Sequence, residues 1–142
     1  MKNRKLFMLL LGIYIYYICI EIFNSGVAGV ANVPYFEKII RCTNLIPFTN
    51  LSTPRSLFVS FVMYMPVAVL IRECYPVLKI KKYFMIYIIL AITIFELIQV
   101  ITLRGYFDIN QIILGSLGAF IAYSIVDFFD KFIPRKSNNA QY

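Results

Sequence analysis

Residues 83–103 read YFMIYIILAITIFELIQVITL, an apolar run interrupted by one acid, Glu96, and by Gln99 three residues later. As a helix rising 1.5 Å per residue, this run spans about 30 Å, the thickness of a bilayer hydrocarbon core. An acid at the centre of such a helix costs roughly 2.5–3.5 kcal/mol on insertion scales, so one left there has a partner or a task. The stretch therefore sets both the fold class and the place to look for function.

Three further apolar runs surround it, at about residues 6–23, 54–71 and 109–128. The chain of 142 residues is 61% hydrophobic and 15% charged, against roughly 45–50% and about 25% in ordinary soluble domains. Its mean hydropathy is +0.76. These values predict an all-α integral membrane protein, a bundle of four transmembrane helices forming one domain over residues 1–142. The first run follows Lys2, Arg4 and Lys5, a start that also fits a cleaved signal peptide. Glu21 and Phe23 separate it from the small residues at 26–31, and it is read as an uncleaved span. In the second run Pro54 suits a first helical turn, whereas Pro66 lies inside and should kink the helix, freeing the Val62 carbonyl.

The net charge of +7 is spread between the apolar runs, which argues against nucleic-acid binding and for lysine and arginine setting orientation. With the N-terminus inside, Lys2, Arg4, Lys5, Arg72, Lys79, Lys81, Lys82, Lys131, Arg135 and Lys136 fall on the inner side. Lys38, Arg41, Arg55 and Arg104 fall outside. Both termini are then cytoplasmic, and residues 137–142 form a polar, disordered end. The long connection between the first two spans is an outer loop with apolar residues. Tyr35, Phe36, Ile39 and Ile40 have the spacing of a short helix lying at the membrane surface.

Glu96 and Gln99 share one helical face, about 12 Å below Arg104 by helical rise. They suit either hydrogen-bonded glue between helices or a polar pocket open to the outer face. In the turn that follows, Gly105 permits a tight bend, and Asp108 can cap the next helix. Arg104 suits an anionic group, with Glu96 or Asp108 as its internal partner. In the fourth run Gly115/Ala119 and Gly118/Ala122 form small-xxx-small pairs that let helices approach closely, the Glu96 helix being the expected neighbour. With no histidine, and with Cys19, Cys42 and Cys74 scattered, neither metal ligation, cofactor binding nor an activated nucleophile is expected. The cysteines read as packing.

Taken in order, these pieces resemble the VanZ-like family of small bacterial membrane proteins over roughly residues 41–123. The family's Asn-Leu-Ile-Pro-Phe element stands intact at residues 44–48, so Asn44, Pro47 and Phe48 carry it. Its Phe-x-Pro-x-Gly element looks like Tyr64-Met65-Pro66-Val67-Ala68, with Pro66 retained. Glu96 and Gln99 match its Glu-x-x-Gln, and Arg104, Phe107 and Asp108 match the Arg and Phe-Asp that follow. Toward the end Gly118 is kept, but Gln111, Gly115 and Ala122 depart from the pattern, as does Ser60 where the family tends to have Asn.

The resemblance implies a part in low-level resistance to teicoplanin, a lipidated glycopeptide acting on the outer face. The leading expectation is a non-enzymatic protein of the cell envelope that binds such an amphiphile through Glu96, Gln99, Arg104 and Asp108, with the bilayer as its other partner. Oligomeric state is open. A proton-coupled transporter or flippase subunit using Glu96 is the alternative. Behind it stand a membrane enzyme using Glu96 and Asp108 on cell-wall or lipid precursors, and a purely structural role.

Overall fold

The computed structural model describes residues 2–24, 32–48 and 53–132. The small residues at 26–31 and the polar end at 137–142 lie outside the described residues. Five α-helices dominate: α1 (Lys2–Asn24), α2 (Tyr35–Arg41), α3 (Pro54–Cys74), α4 (Lys81–Ile101) and α5 (Ile109–Phe132). A single 3-10 turn, Pro76–Lys79, joins α3 to α4. Two short strands, β1 (Thr43–Asn44) and β2 (Phe107–Asp108), pair in parallel.

Of the described helices, α3, α4 and α5 are long and apolar enough to cross a membrane. Their outward faces carry apolar side chains such as Phe58, Ile86, Leu90, Leu117 and Ile125, each at least 46% exposed. That surface fits association with a lipid bilayer, where an exposed apolar side chain is not penalised as it is in water. Helix α1 is continuous over the first expected span and exposes Leu9, Ile13 and Tyr16 while burying Leu11 and Ile18. The short helix expected at Tyr35 forms as α2.

Helix α3 packs mainly on α5, with α1 against α3 and α4 against α5. Gly118 explains the closest of these contacts. A Cβ there would collide with the Phe61 carbonyl oxygen of α3, so only glycine lets the two backbones meet. At Gly115 a Cβ would sit 2.7 Å from the Tyr64 ring of α3 and 3.3 Å from Ile92 of α4. The small stripe of α5 thus faces α3 first, and not chiefly the Glu96 helix as its sequence suggested. The reason is backbone proximity: α4 meets α5 through large side chains such as Phe84, whose ring stacks on Tyr123 at 4.5 Å.

Thr53 caps α3 by accepting from Ser56 N–H (3.2 Å), and Pro54 occupies the first turn. The helix continues through Pro66 without a break. Proline lacks the N–H that would reach the Val62 carbonyl. On the adjacent residue, the Tyr14 hydroxyl of α1 donates to the Met63 carbonyl at 3.0 Å. This bond joins α1 to α3 beside the proline and does not reach the Val62 oxygen itself.

Candidate functional site

The end of the bundle holding the α4–α5 turn is organised by the way α4 stops. Leu103 N–H donates to the Val100 carbonyl (3.1 Å), and Arg104 N–H reaches back to Gln99 (3.0 Å). Leu103 itself adopts a left-handed backbone, φ 53. This is the Schellman arrangement, with leucine where glycine is usual. The sharp bend therefore falls on Leu103 and not on Gly105. Gly105 serves a different purpose: a Cβ there would lie 3.0 Å from Gln99 Oε1, so its lack of a side chain makes room for the Gln99 amide.

Beyond the turn, β2 aligns with β1 so that Asn44 lies opposite Asp108, and Phe107 N–H donates to the Cys42 carbonyl (2.9 Å). A network of four buried polar side chains follows from this register. Asn44 Nδ2 donates to Asp108 Oδ1 (3.1 Å), and the same oxygen accepts from Asn110 N–H (3.0 Å) in the first turn of α5. Asp108 thus caps α5, as the sequence led one to expect. Asp108 N–H in turn donates to Glu96 Oε2 (3.3 Å). Asn44 Oδ1 accepts from Ile46 N–H (3.2 Å), and Asn110 Oδ1 accepts from Phe48 N–H (2.7 Å). The loop carrying Pro47 and Phe48 is held to α5 in this way, with Phe48 in a left-handed conformation (φ 61) and its ring exposed. From the other side, the Tyr35 hydroxyl of α2 donates to the Ile101 carbonyl (2.6 Å). Cys42 is fully enclosed beside the strand pair, and burial pushes its thiol up, so it packs and does not act as a nucleophile.

Next to this network lies a cavity of about 370 Å³ bounded by α1, α3, α4, α5 and the α4–α5 turn. Glu96, Gln99, Gln111 and Ser60 supply polar groups, Val59 and Met63 an apolar wall, and Glu21, Arg55 and Tyr106 also line it. Ser60 Oγ donates to Gln111 Oε1 at 2.8 Å. Among the described residues, the side chain of Gln99, only 8% exposed, has no hydrogen-bond partner, and Glu96 is bonded through Oε2 alone.

The four expected site residues therefore separate. Glu96 and Gln99 line the cavity, and Asp108 is buried behind it, joined to Glu96 through its backbone. Arg104 is exposed, forms no ion pair among the described residues and does not line the cavity. Its backbone is drawn back to Gln99 by the helix stop while its side chain faces outward. The cation of the cavity is Arg55, in the first turn of α3. Asn110 carried no local signal, since its bond to Phe48 N–H joins residues 62 apart. None existed for Arg55 or Glu21, which reach the cavity only through helix packing.

A second polar cluster occupies the opposite end. Arg72, 3% exposed, donates through Nη1 to Asp130 Oδ2 (2.6 Å) and Glu73 Oε1 (3.2 Å), and through Nη2 to Asp127 Oδ1 (3.3 Å). Its guanidinium also lies over the Tyr123 ring at 5.2 Å, while the Tyr123 hydroxyl donates to the Lys79 carbonyl at 2.6 Å. In the sequence Arg72 reads as one more orienting cation at a membrane edge; in the fold it ties α3 to α5.

No protein-family model matches the chain, and no curated protein or solved structure matches it.

Proposed function

We propose that this chain is a VanZ-like, non-enzymatic membrane protein of the bacterial cytoplasmic membrane that binds an amphiphile at the outer face. Through that binding it contributes to low-level teicoplanin resistance. In this reading α1 is the first of four spans, both termini are cytoplasmic, and the α4–α5 turn lies outside, as the distribution of lysine and arginine favours. The observation that carries the reading is the cavity beside Glu96 and Gln99. It combines a polar floor with the apolar wall of Val59 and Met63, at the end of helices whose outer faces suit lipid. An amphiphile has the matching division into a polar head and a greasy chain.

Expression in a sensitive Gram-positive strain tests it. Tolerance to teicoplanin should rise more than tolerance to vancomycin, and Glu96→Gln or Arg55→Ala at matched membrane abundance should remove the gain. Unchanged tolerance to both drugs, with the wild-type protein present in the membrane, would end the resistance reading.

A further inference from the structure

We infer that the cavity at the α4–α5 end takes a glycosyl head group, its hydroxyls bonded by Glu96, Gln99 and Gln111. The inference rests on the reading of this cavity as an amphiphile site and names the part of the amphiphile that enters it. Size comes first. At about 370 Å³ the cavity is near the lower limit of small-molecule sites, which run roughly 300–1,000 Å³. It has room for a head group and not for a whole glycopeptide.

The chemistry of the floor then selects among head groups. Polar groups that face a cavity offer to a ligand whatever bonding capacity their protein neighbours leave unused. Here, among the described residues, the Gln99 amide has no protein partner, and Gln111 is engaged through Oε1 only, as acceptor from Ser60. Glu96 is engaged only through Oε2. The floor thus presents two amide NH2 donors beside a carboxyl oxygen and an amide carbonyl. A phosphate offers acceptors only and would meet the Glu96 carboxyl. An ammonium offers donors only and would meet the two NH2 groups. A hydroxyl is donor and acceptor at once, and it pairs with a carboxyl in either protonation state. Neighbouring hydroxyls on one ring can satisfy such a mixed cluster together. An extended peptide turns only one N–H and one C=O of alternate residues to a given side, fewer groups than adjacent ring hydroxyls supply. Tyr106, 40% exposed, also lines the cavity, and Arg55 there suits an anionic substituent.

Native mass spectrometry of the full chain in a sugar-free polyoxyethylene detergent decides the matter. The probes are monoglucosyldiacylglycerol, diacylglycerol with the same acyl chains, phosphatidylethanolamine and an N-acyl dipeptide amide. The glucolipid should bind at least tenfold more tightly than each of the other three. Gln99→Leu and the less buried Gln111→Leu should each weaken it about tenfold while leaving diacylglycerol unchanged. Equal affinity for glucolipid and diacylglycerol would overturn the inference, and so would preference for phosphatidylethanolamine or for the dipeptide. Displacement of the glucolipid by teicoplanin would assign the head group to the drug's own sugars, and lack of displacement would assign it to a membrane glycolipid. Glucolipid binding without any change in drug tolerance leaves the head-group inference standing and removes the resistance reading. Raised tolerance together with glucolipid affinity that both leucine variants leave intact removes the head-group inference alone.

Discussion

The two ends of the helix bundle solve the problem of buried polarity in opposite ways. At one end Arg72 gathers Glu73, Asp127 and Asp130 around itself, with Tyr123 beneath. Positive and negative charge are brought together there, yet among the described residues Arg72 Nε keeps no partner, and Arg72, Lys79, Asp127 and Asp130 line a second cavity of about 370 Å³. At the other end Asn44, Glu96, Asp108 and Asn110 are joined by amide, carboxyl and backbone groups. There Glu96 and Gln99 keep bonding capacity turned toward a cavity. The first cluster holds α3 to α5 by ion pairing; the second sets amides and a carboxyl beside an apolar wall.

The largest expected effect falls on the Arg72 cluster. Arg72→Ala takes the shared cation from Glu73, Asp127 and Asp130 while Asp127 keeps Lys131 at 2.8 Å, and should cost about 3 kcal/mol, the low end for breaking a buried ion pair. Thermal unfolding in detergent should show it as a large drop or as loss of folded protein. A loss below about 1 kcal/mol, the level of an exposed ion pair, would show that the cluster does not lock α3 to α5.

At the other end Asp108→Ala removes both the α5 cap and the Asn44 bond and should cost about 2 kcal/mol. Asp108→Asn keeps one oxygen able to accept from Asn110 and should recover more than half of that, read by the same unfolding measurement. Equal losses in the two variants would mean that charge, not hydrogen-bond geometry, holds this end. The smallest effect belongs to Arg104. Its exposed side chain has no ion-pair partner among the described residues, so Arg104→Ala should shift stability by less than about 0.5 kcal/mol. It should also leave drug tolerance unchanged where Arg55→Ala does not. A loss of tolerance in Arg104→Ala would return Arg104 to the site and break the distinction drawn here between the two arginines.

The helices were legible in the sequence because a run of apolar residues long enough to cross a bilayer leaves few alternatives, and α3, α4 and α5 begin within two residues of their expected starts. The cap at Asp108 was legible because capping is local. Glu96 and Gln99 stood out because polar groups in such a run are costly. What stayed hidden depends on which helices meet. Arg72 and Asp130 lie 58 residues apart, and nothing local joins them. Arg104 was assigned to the site by proximity in sequence, yet the left-handed turn at Leu103 directs it away. The strands were hidden for a related reason: two residues carry no periodicity, and Thr43–Asn44 pairs with Phe107–Asp108 only because α3 and α4 bring the loop and the turn together.

That strand pair also dictates an order of assembly. Asn44 emerges early during synthesis, but its partner Asp108 is 64 residues further along. Neither the Asn44–Asp108 bond nor the backbone bond to Glu96 can exist until α4 has been made and the chain has turned back. A nascent chain stopped before Phe107 holds Glu96 in an apolar helix with its eventual donor not yet synthesised. The Arg72 cluster waits longer still, for Asp127 and Asp130, so along the nascent chain the acid of α4 can find its donor before the arginine of α3 finds its carboxylates.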